Sequence, residues 1–243
     1  MTRALENQYA LVTGASSGIG RAFAMALAEQ GACVAMVARR REILEAIVAE
    51  ASAKKYDMRA FPADLMREGE IRALRERVER ELGAVDILVH SAGHIYHGRL
   101  EASPAADLES QFIANVRGPY LLTQELLPFL RKRPGQIVFI NSSAGLKASA
   151  GAGQFSATQH ALKAIAESLR DEVNAEGIRV LNIFPGRTAT PRQKEIYREE
   201  GRVYQPEVLL QPESIAAMAV AALSLPRTAE VTEIRIRPMQ KSY

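Results

Sequence analysis

The sequence has a single cysteine, Cys33, among its 243 residues, so a disulfide within the chain and a cysteine-based zinc cluster are both excluded. Cys33 lies in the apolar run CVAMVAR and is expected to be a buried core thiol. Long apolar runs are missing too. The longest, Ile215 to Leu225, falls well short of the roughly eighteen residues that a membrane span requires, and its spacing predicts a packed helix. No apolar stretch or small-residue cleavage pattern precedes the first strand in MTRALENQYALV, so no signal peptide is expected and the chain is assigned to the cytoplasm. Blocks of one charge are absent: the net charge is only +3, and no basic cluster with interleaved aromatics suggests a nucleic-acid partner. What is present is a globular composition, 47% hydrophobic and 24% charged, enough for a substantial core and unlike that of a disordered chain.

Length allows one large α/β domain or two small ones; organisation decides between them. Short β-branched runs alternate with helical patterns in the order YALVTG, RAFAMALAEQG, CVAMVAR, a charged helix over 41–55, and MRAFPAD, a βαβαβ start. A helix over 68–82, the strand VDILVH, one long helix over about 103–130 and the strand GQIVFINS follow. Next come an Ala-rich helix over about 155–175, ended by Gly177, and the strand IRVLNIFPG. An irregular charged segment then runs to about residue 211, before a helix over 212–224 and a last strand, VTEIRIRP. No linker, repeat or low-complexity segment breaks this rhythm. A single Rossmann domain over 1–243 is therefore predicted, a doubly wound parallel sheet of about seven strands with helices on both faces. Ligands of such sheets sit beyond the carboxyl ends of the strands.

The segment TGASSGIG sets Gly14, Gly18 and Gly20, with Ser16, Ser17 and Ile19 among them, directly after the first strand and at the opening of the first helix. Glycine permits the turn and a close backbone approach, and the free N–H groups of a helix start attract a pyrophosphate. A glycine-rich turn can also be purely structural; the strand before it and the helix after it favour a dinucleotide. At the end of the second strand, where an acidic side chain would select NAD through its ribose, stands Ala38-Arg39. A guanidinium offers a planar fork of donors to a 2′-phosphate, so Arg39 points to NADP(H). Arg40 and Arg41 serve equally well as the start of a solvated helix.

These features resemble the short-chain dehydrogenase/reductase family over nearly the whole chain. DILVHSAG, Asp86 to Gly93, is similar to that family's DxLVNNAG segment, with His90 and Ser91 where two asparagines are usual and with Ala92 and Gly93 kept. The resemblance implies that Ser91, Ala92 and Gly93 border the cofactor's ribose and that Asn115, in ANVRGPYLLTQ, bends its helix. It also implies that Asp64 and Leu65, in PADL, meet the adenine, and that Pro185, Gly186, Thr188 and Thr190 form the loop holding the nicotinamide amide. Asp64 alone can equally cap the helix after it.

The family's proton chemistry uses a serine and, thirteen residues later, a Tyr-x-x-x-Lys pair. Ser142 in NSSAG fits the serine, with Ser143 the near alternative, but the resemblance puts Phe155 at the tyrosine position and Gln159 at the lysine position. Phenylalanine has no exchangeable proton and glutamine no charge, so neither is competent for that relay. Gln159 can still bond ribose hydroxyls. His94, Tyr96 and His97, after Gly93, are candidate replacement donors, against a bland reading as loop residues. Lys147 reads as a solvated loop residue, while His160 and Lys163 lie at the wrong helical positions. Two readings follow. One is an NADP(H)-binding protein with little or no dehydrogenase activity, a sensor, scaffold or non-catalytic subunit. The other is an NADPH-dependent oxidoreductase for a small carbonyl or alcohol that uses an unconventional proton donor. The mixed charges over 187–211 read as a solvated lid. Finally, the resemblance implies a homodimer or homotetramer built on the helices over about 103–130 and 155–175, or pairing with an active relative.

Overall fold

In a computed structural model, which describes residues 4–240, seven parallel strands run in the order β3-β2-β1-β4-β5-β6-β7. They are β1 (Tyr9–Thr13), β2 (Cys33–Ala38), β3 (Met58–Pro62), β4 (Ile87–His90), β5 (Gln136–Ile140), β6 (Arg179–Pro185) and β7 (Glu233–Ile236). Side chains alternate between two cores. Ala10, Val12, Val34, Met36, Ile87 and Val89 join one, and Leu11, Ala35, Val37, Leu88, Ile137 and Phe139 the other. Both faces are covered, which is why these strands read as nearly continuous apolar runs.

The first core is closed by α1 (Gly18–Glu29), α2 (Arg41–Ala53) and α8 (Pro212–Leu223), through Phe23, Leu27, Leu44 and Ile215. The second is closed by α3 (Glu68–Glu81), α5 (Gly118–Leu130) and α6 (Gly153–Val173), through Ile71, Leu126 and Leu162. Burying each of these large side chains contributes about 1.5–3 kcal/mol. Cys33 is buried, and burial together with a hydrogen bond to Asp57 pushes its thiol up to about 12, which makes it inert. Among the described residues, no helix is long and apolar enough to cross a membrane.

Strand β1 pairs with β2 and with β4, Val12 facing Met36 on one side and Val89 on the other. Chain order reverses between β1 and β4, so a crevice opens beyond their carboxyl ends.

Two elements differ from the sequence expectation. The long helix over 103–130 is α4 (Ala105–Phe112), a π-helical turn at Ile113–Arg117, and α5. The turn widens the helix where Asn115 is held by tertiary hydrogen bonds and where Pro119 has no N–H to give back. The irregular charged segment contains α7 (Pro191–Glu199), which Thr190 caps by accepting a hydrogen bond from Gln193 N at 3.1 Å.

Candidate functional site

Thr13, at the end of β1, ties the crevice together. Its Oγ1 donates to Val89 O (3.2 Å) and accepts from Ser91 N (2.9 Å) and Ala92 N (3.1 Å). Beside it opens a cleft of about 390 Å³. Gly14 has φ +65°, and a Cβ there would lie 2.8 Å from Ser91 O. A Cβ on Gly20 would collide with Gly14 O. Helix α1 begins at Ser17 in extended backbone, with no side-chain cap and no acidic residue in its first turn. Its first N–H groups are thus ready to take an anion.

The cleft gathers most of the expected cofactor residues. Gly14, Ser16, Ser17, Gly18, Ile19 and Gly20 line it, as do Arg39, Asp64 and Leu65 beyond β2 and β3, and Ser91, Ala92 and Gly93 beyond β4. Arg39 is exposed at the rim. Asp64 does not cap α3, whose N-cap is Arg67 with no side-chain cap: its Oδ1 accepts from Met66 N at 3.0 Å in the turn ahead of that helix, and the Glu70 carboxylate accepts from Asp64 N at 2.7 Å. Thr190 lines the cleft, whereas Pro185, Gly186 and Thr188 do not. Gly186 N donates to Ile236 O (2.8 Å) and Thr188 Oγ1 to Gly186 O (2.9 Å). Those residues form the frame that carries Thr190.

On the opposite side Phe155 and Gln159 line the cleft, one turn apart on α6 and only 8% and 5% exposed. Among the described residues, the Gln159 side chain makes only a long contact, Nε2 to Thr158 Oγ1 at 3.5 Å. Ser142 does not line the cleft: half-buried, it caps a short 3₁₀ turn, its Oγ accepting from Ala144 N at 3.1 Å. Its neighbour Asn141, which the sequence reading passed over, does line it. Asn141 Nδ2 donates to Gln159 O (3.0 Å) and its Oδ1 accepts from Ser142 N (2.7 Å), locking the end of β5 to α6. A polar residue closing a buried strand at its carboxyl end was the available signal for both Thr13 and Asn141.

Asn115 anchors the loop after β4. Its Oδ1 accepts from His94 N (2.7 Å), and its Nδ2 donates to His94 O (2.8 Å) and Thr158 Oγ1 (3.0 Å). Gln111 Oε1 accepts from Tyr96 N at 3.0 Å. From α7, Arg192 donates to Ile95 O (2.6 Å) and pairs with Glu199 (2.9 Å) and Glu195 (3.1 Å), clamping that helix onto the loop.

Histidines differ sharply by place. His90 is buried, stacked on Phe139 with Nε2 2.9 Å from Thr123 Oγ1, and burial drives it down to about 3, so it is neutral. His94 lines the cleft with Nδ1 3.5 Å from Ser110 Oγ. Burial lowers it, and Arg39 and Arg192 add to that against Asp64. The His97 ring lies 6.4 Å from that of Phe155, and its Nδ1 is 3.6 Å from Glu200 Oε1. Tyr96 is exposed, edge-on to His94. His160 Nδ1 is 2.8 Å from Ser156 O, Lys163 pairs with Glu167, Lys147 is exposed, and none of the three lines the cleft.

The sequence pattern of short chain dehydrogenases matches residues 8–201, and the chain belongs to that family. It is 34% identical over 240 residues to the glycine betaine reductase ATRR of Emericella nidulans, a match covering 96% of this chain but only 19% of that protein. With an uncharacterized oxidoreductase of Staphylococcus aureus it shares 29% over 238 residues, 97% of this chain and 99% of the other. Among solved structures, a short chain dehydrogenase of Shigella flexneri complexed with NADP superposes with a TM-score of 0.89 at 27% identity, covering 97% of this chain and 99% of that one.

Proposed function

We propose that this protein binds NADP(H) in the cleft but lacks the family's tyrosine–lysine proton relay. Conventional dehydrogenase turnover is then low, and the protein acts as a sensor, scaffold or non-catalytic subunit. One observation carries the reading: Phe155 and Gln159, buried one turn apart on α6, occupy the cleft wall at the relay positions.

Binding is assigned residue by residue. The uncapped start of α1 and the glycine turn receive the pyrophosphate, and Arg39 meets the 2′-phosphate. Asp64 and Leu65 border the adenine, and the backbone of Ser91, Ala92 and Gly93 lies along the nicotinamide ribose. The Gln159 amide bonds the ribose hydroxyls, and Thr190 receives the nicotinamide amide. When bound, NADPH supplies a hydride. Phe155 walls the reaction space against water but has no proton for an alkoxide, a deficit of typically about 10²–10⁴ in rate. Assembly into a homodimer or homotetramer is supported by Leu108, Phe112 and Tyr120, large apolar side chains exposed on α4 and α5.

The test is a fluorescence titration with NADPH, followed by NADPH consumption over a panel of small carbonyls. Saturable binding with slow consumption is expected. Absence of binding, or a native rate that the Phe155→Tyr, Gln159→Lys double variant does not exceed, overturns the proposal. A second reading, an oxidoreductase with an unconventional donor, is favoured by the packing of His97 on Phe155.

A further inference from the structure

His94 is a titratable group that lines the cleft itself. Asn115 fixes its backbone on both sides, accepting from His94 N at 2.7 Å and donating to His94 O at 2.8 Å, so the side chain leaves from a held point. One edge of the ring is turned to helix α4, with Nδ1 3.5 Å from Ser110 Oγ, and Tyr96 stands edge-on to it. The charges that act on the ring come from elsewhere. They belong to Arg39 just after β2, Asp64 beyond β3 and Arg192 at the start of α7, and all three line the cleft. The imidazole is therefore set among cleft side chains from three separate elements. With Nδ1 turned to α4, Nε2 is the nitrogen left for the cleft.

Positive charge is in excess around it. Among the described residues that line the cleft, Arg39, Arg40 and Arg192 stand against one carboxylate, Asp64. Asp64 lies 3.8 Å from Arg67, and Arg192 gives part of its own charge to Glu199 and Glu195. An anion in the cleft meets this excess together with the uncapped N–H groups of α1. By itself the ring is held below the ordinary histidine range: burial is the largest cause, Arg39 and Arg192 add to it, and Asp64 opposes them. At neutral pH it is uncharged. A phosphate beside it reverses that balance, because its negative charge offsets the arginines and favours the imidazolium.

We propose that His94 is a phosphate contact whose grip is set by pH: with Arg39 and Arg192 it forms a three-point cationic site, and a phosphate-bearing ligand binds more tightly as pH falls. This rests on the reading that the cleft receives a dinucleotide. The sign follows from linkage. A ligand that raises the midpoint of the ring is bound with uptake of a proton, so its affinity rises as pH falls through the bound-state midpoint and levels off below the free-state one. His94 thereby gives the sensor reading a second input, proton concentration beside nucleotide.

Two measurements on the full chain test this. In the first, NADP⁺ and NAD⁺ are titrated by calorimetry between pH 8 and pH 5.5 into native protein and His94→Gln. Protonation of the 2′-phosphate itself weakens binding in both proteins and cancels in their affinity ratio. The native-to-variant ratio is expected to be near one at pH 8 and to climb to about three- to tenfold at pH 5.5. A rise with both nucleotides assigns the contact to the diphosphate, and a rise with NADP⁺ alone assigns it to the 2′-phosphate. A ratio that stays flat with both overturns the proposal. The second measurement needs only native protein and Arg39→Ala. By NMR, the His94 Cε1–H midpoint lies below the ordinary histidine range, rises in Arg39→Ala because an opposing charge is lost, and rises in native protein on saturation with NADP⁺. A midpoint unmoved by NADP⁺ overturns the phosphate contact, and one unmoved by Arg39→Ala overturns the three-point site. Failure to bind either nucleotide at pH 8 sinks the cofactor reading itself, and the proposal with it.

Discussion

Introducing Phe155→Tyr and Gln159→Lys together puts numbers on the proposal that the family's proton relay is missing. The two side chains are an i, i+4 pair on α6, whose Cβ atoms are about 5–6 Å apart in any helix. At about 5 Å and an effective dielectric constant of about 20, a lysine ammonium stabilises a phenolate by about 3 kcal/mol, which shifts the phenol toward neutrality by a factor of roughly 10². The hydroxyl alone lacks that help, and the lysine alone has nothing to activate. Turnover in the double variant is therefore expected to rise by about 10²–10⁴, with each single change contributing far less than half of the logarithmic gain. A stability cost accompanies it. Gln159 is 5% exposed and, among the described residues, Thr158 Oγ1 is the one partner of its side chain, so an ammonium there is poorly satisfied and about 1–3 kcal/mol is lost in the cofactor-free protein. The assays are stopped-flow absorbance of NADPH over a carbonyl panel and urea denaturation with and without NADPH. A double variant no faster than native, or single changes that add independently, refutes the reasoning.

Other consequences follow from particular atoms. Gly14→Ala forces a β-carbon into positive φ and within 2.8 Å of Ser91 O; about 2–4 kcal/mol of stability is lost and NADPH affinity falls sharply, by urea denaturation and fluorescence titration. His90 is neutral in the fold, held down to about 3, and protonates first in the unfolded chain as pH drops below about 6.5. Stability is thus full above that pH and is lost as pH falls toward the folded-state value. Between pH 7 and pH 5 the native protein loses about 1–2 kcal/mol more than His90→Asn in urea titrations, whereas parallel pH dependences contradict this. Sedimentation at micromolar concentration is expected to give a dimer or tetramer, and Phe112→Glu to shift it toward monomer.

The sheet was readable because Ala10, Leu11 and Val12 alternate between two buried faces and because Gly14, Gly18 and Gly20 stand between a strand and a helix. That Phe155 and Gln159 face the same wall was readable because one helical turn separates them. Helix α7 was hidden by its charges: only Ile196 and Tyr197 are buried on it, while Arg192 spends its charge on Glu195 and Glu199. A bend at Asn115 was implied by the resemblance, but its π form rests on Asn115 gripping the backbone of His94, which sequence does not show. Ser142 matched a motif, yet its hydroxyl serves Ala144 N, and Asn141 is the neighbour that reaches the cleft. The His97–Glu200 pair joins a loop after β4 to the end of α7, a juxtaposition that only folding creates.

We propose that this cleft holds NADP(H) and that Arg39 selects it. The most direct test is a paired fluorescence titration of NADPH and NADH on the native protein and on Arg39→Ala. A guanidinium on a 2′-phosphate at an exposed rim contributes about 1–2 kcal/mol. NADPH is therefore expected to bind native protein roughly 5–30-fold more tightly than NADH, and Arg39→Ala to erase the difference by weakening NADPH alone. Equal affinities in the native protein, or an Arg39→Ala variant that keeps its preference for NADPH, contradict the account.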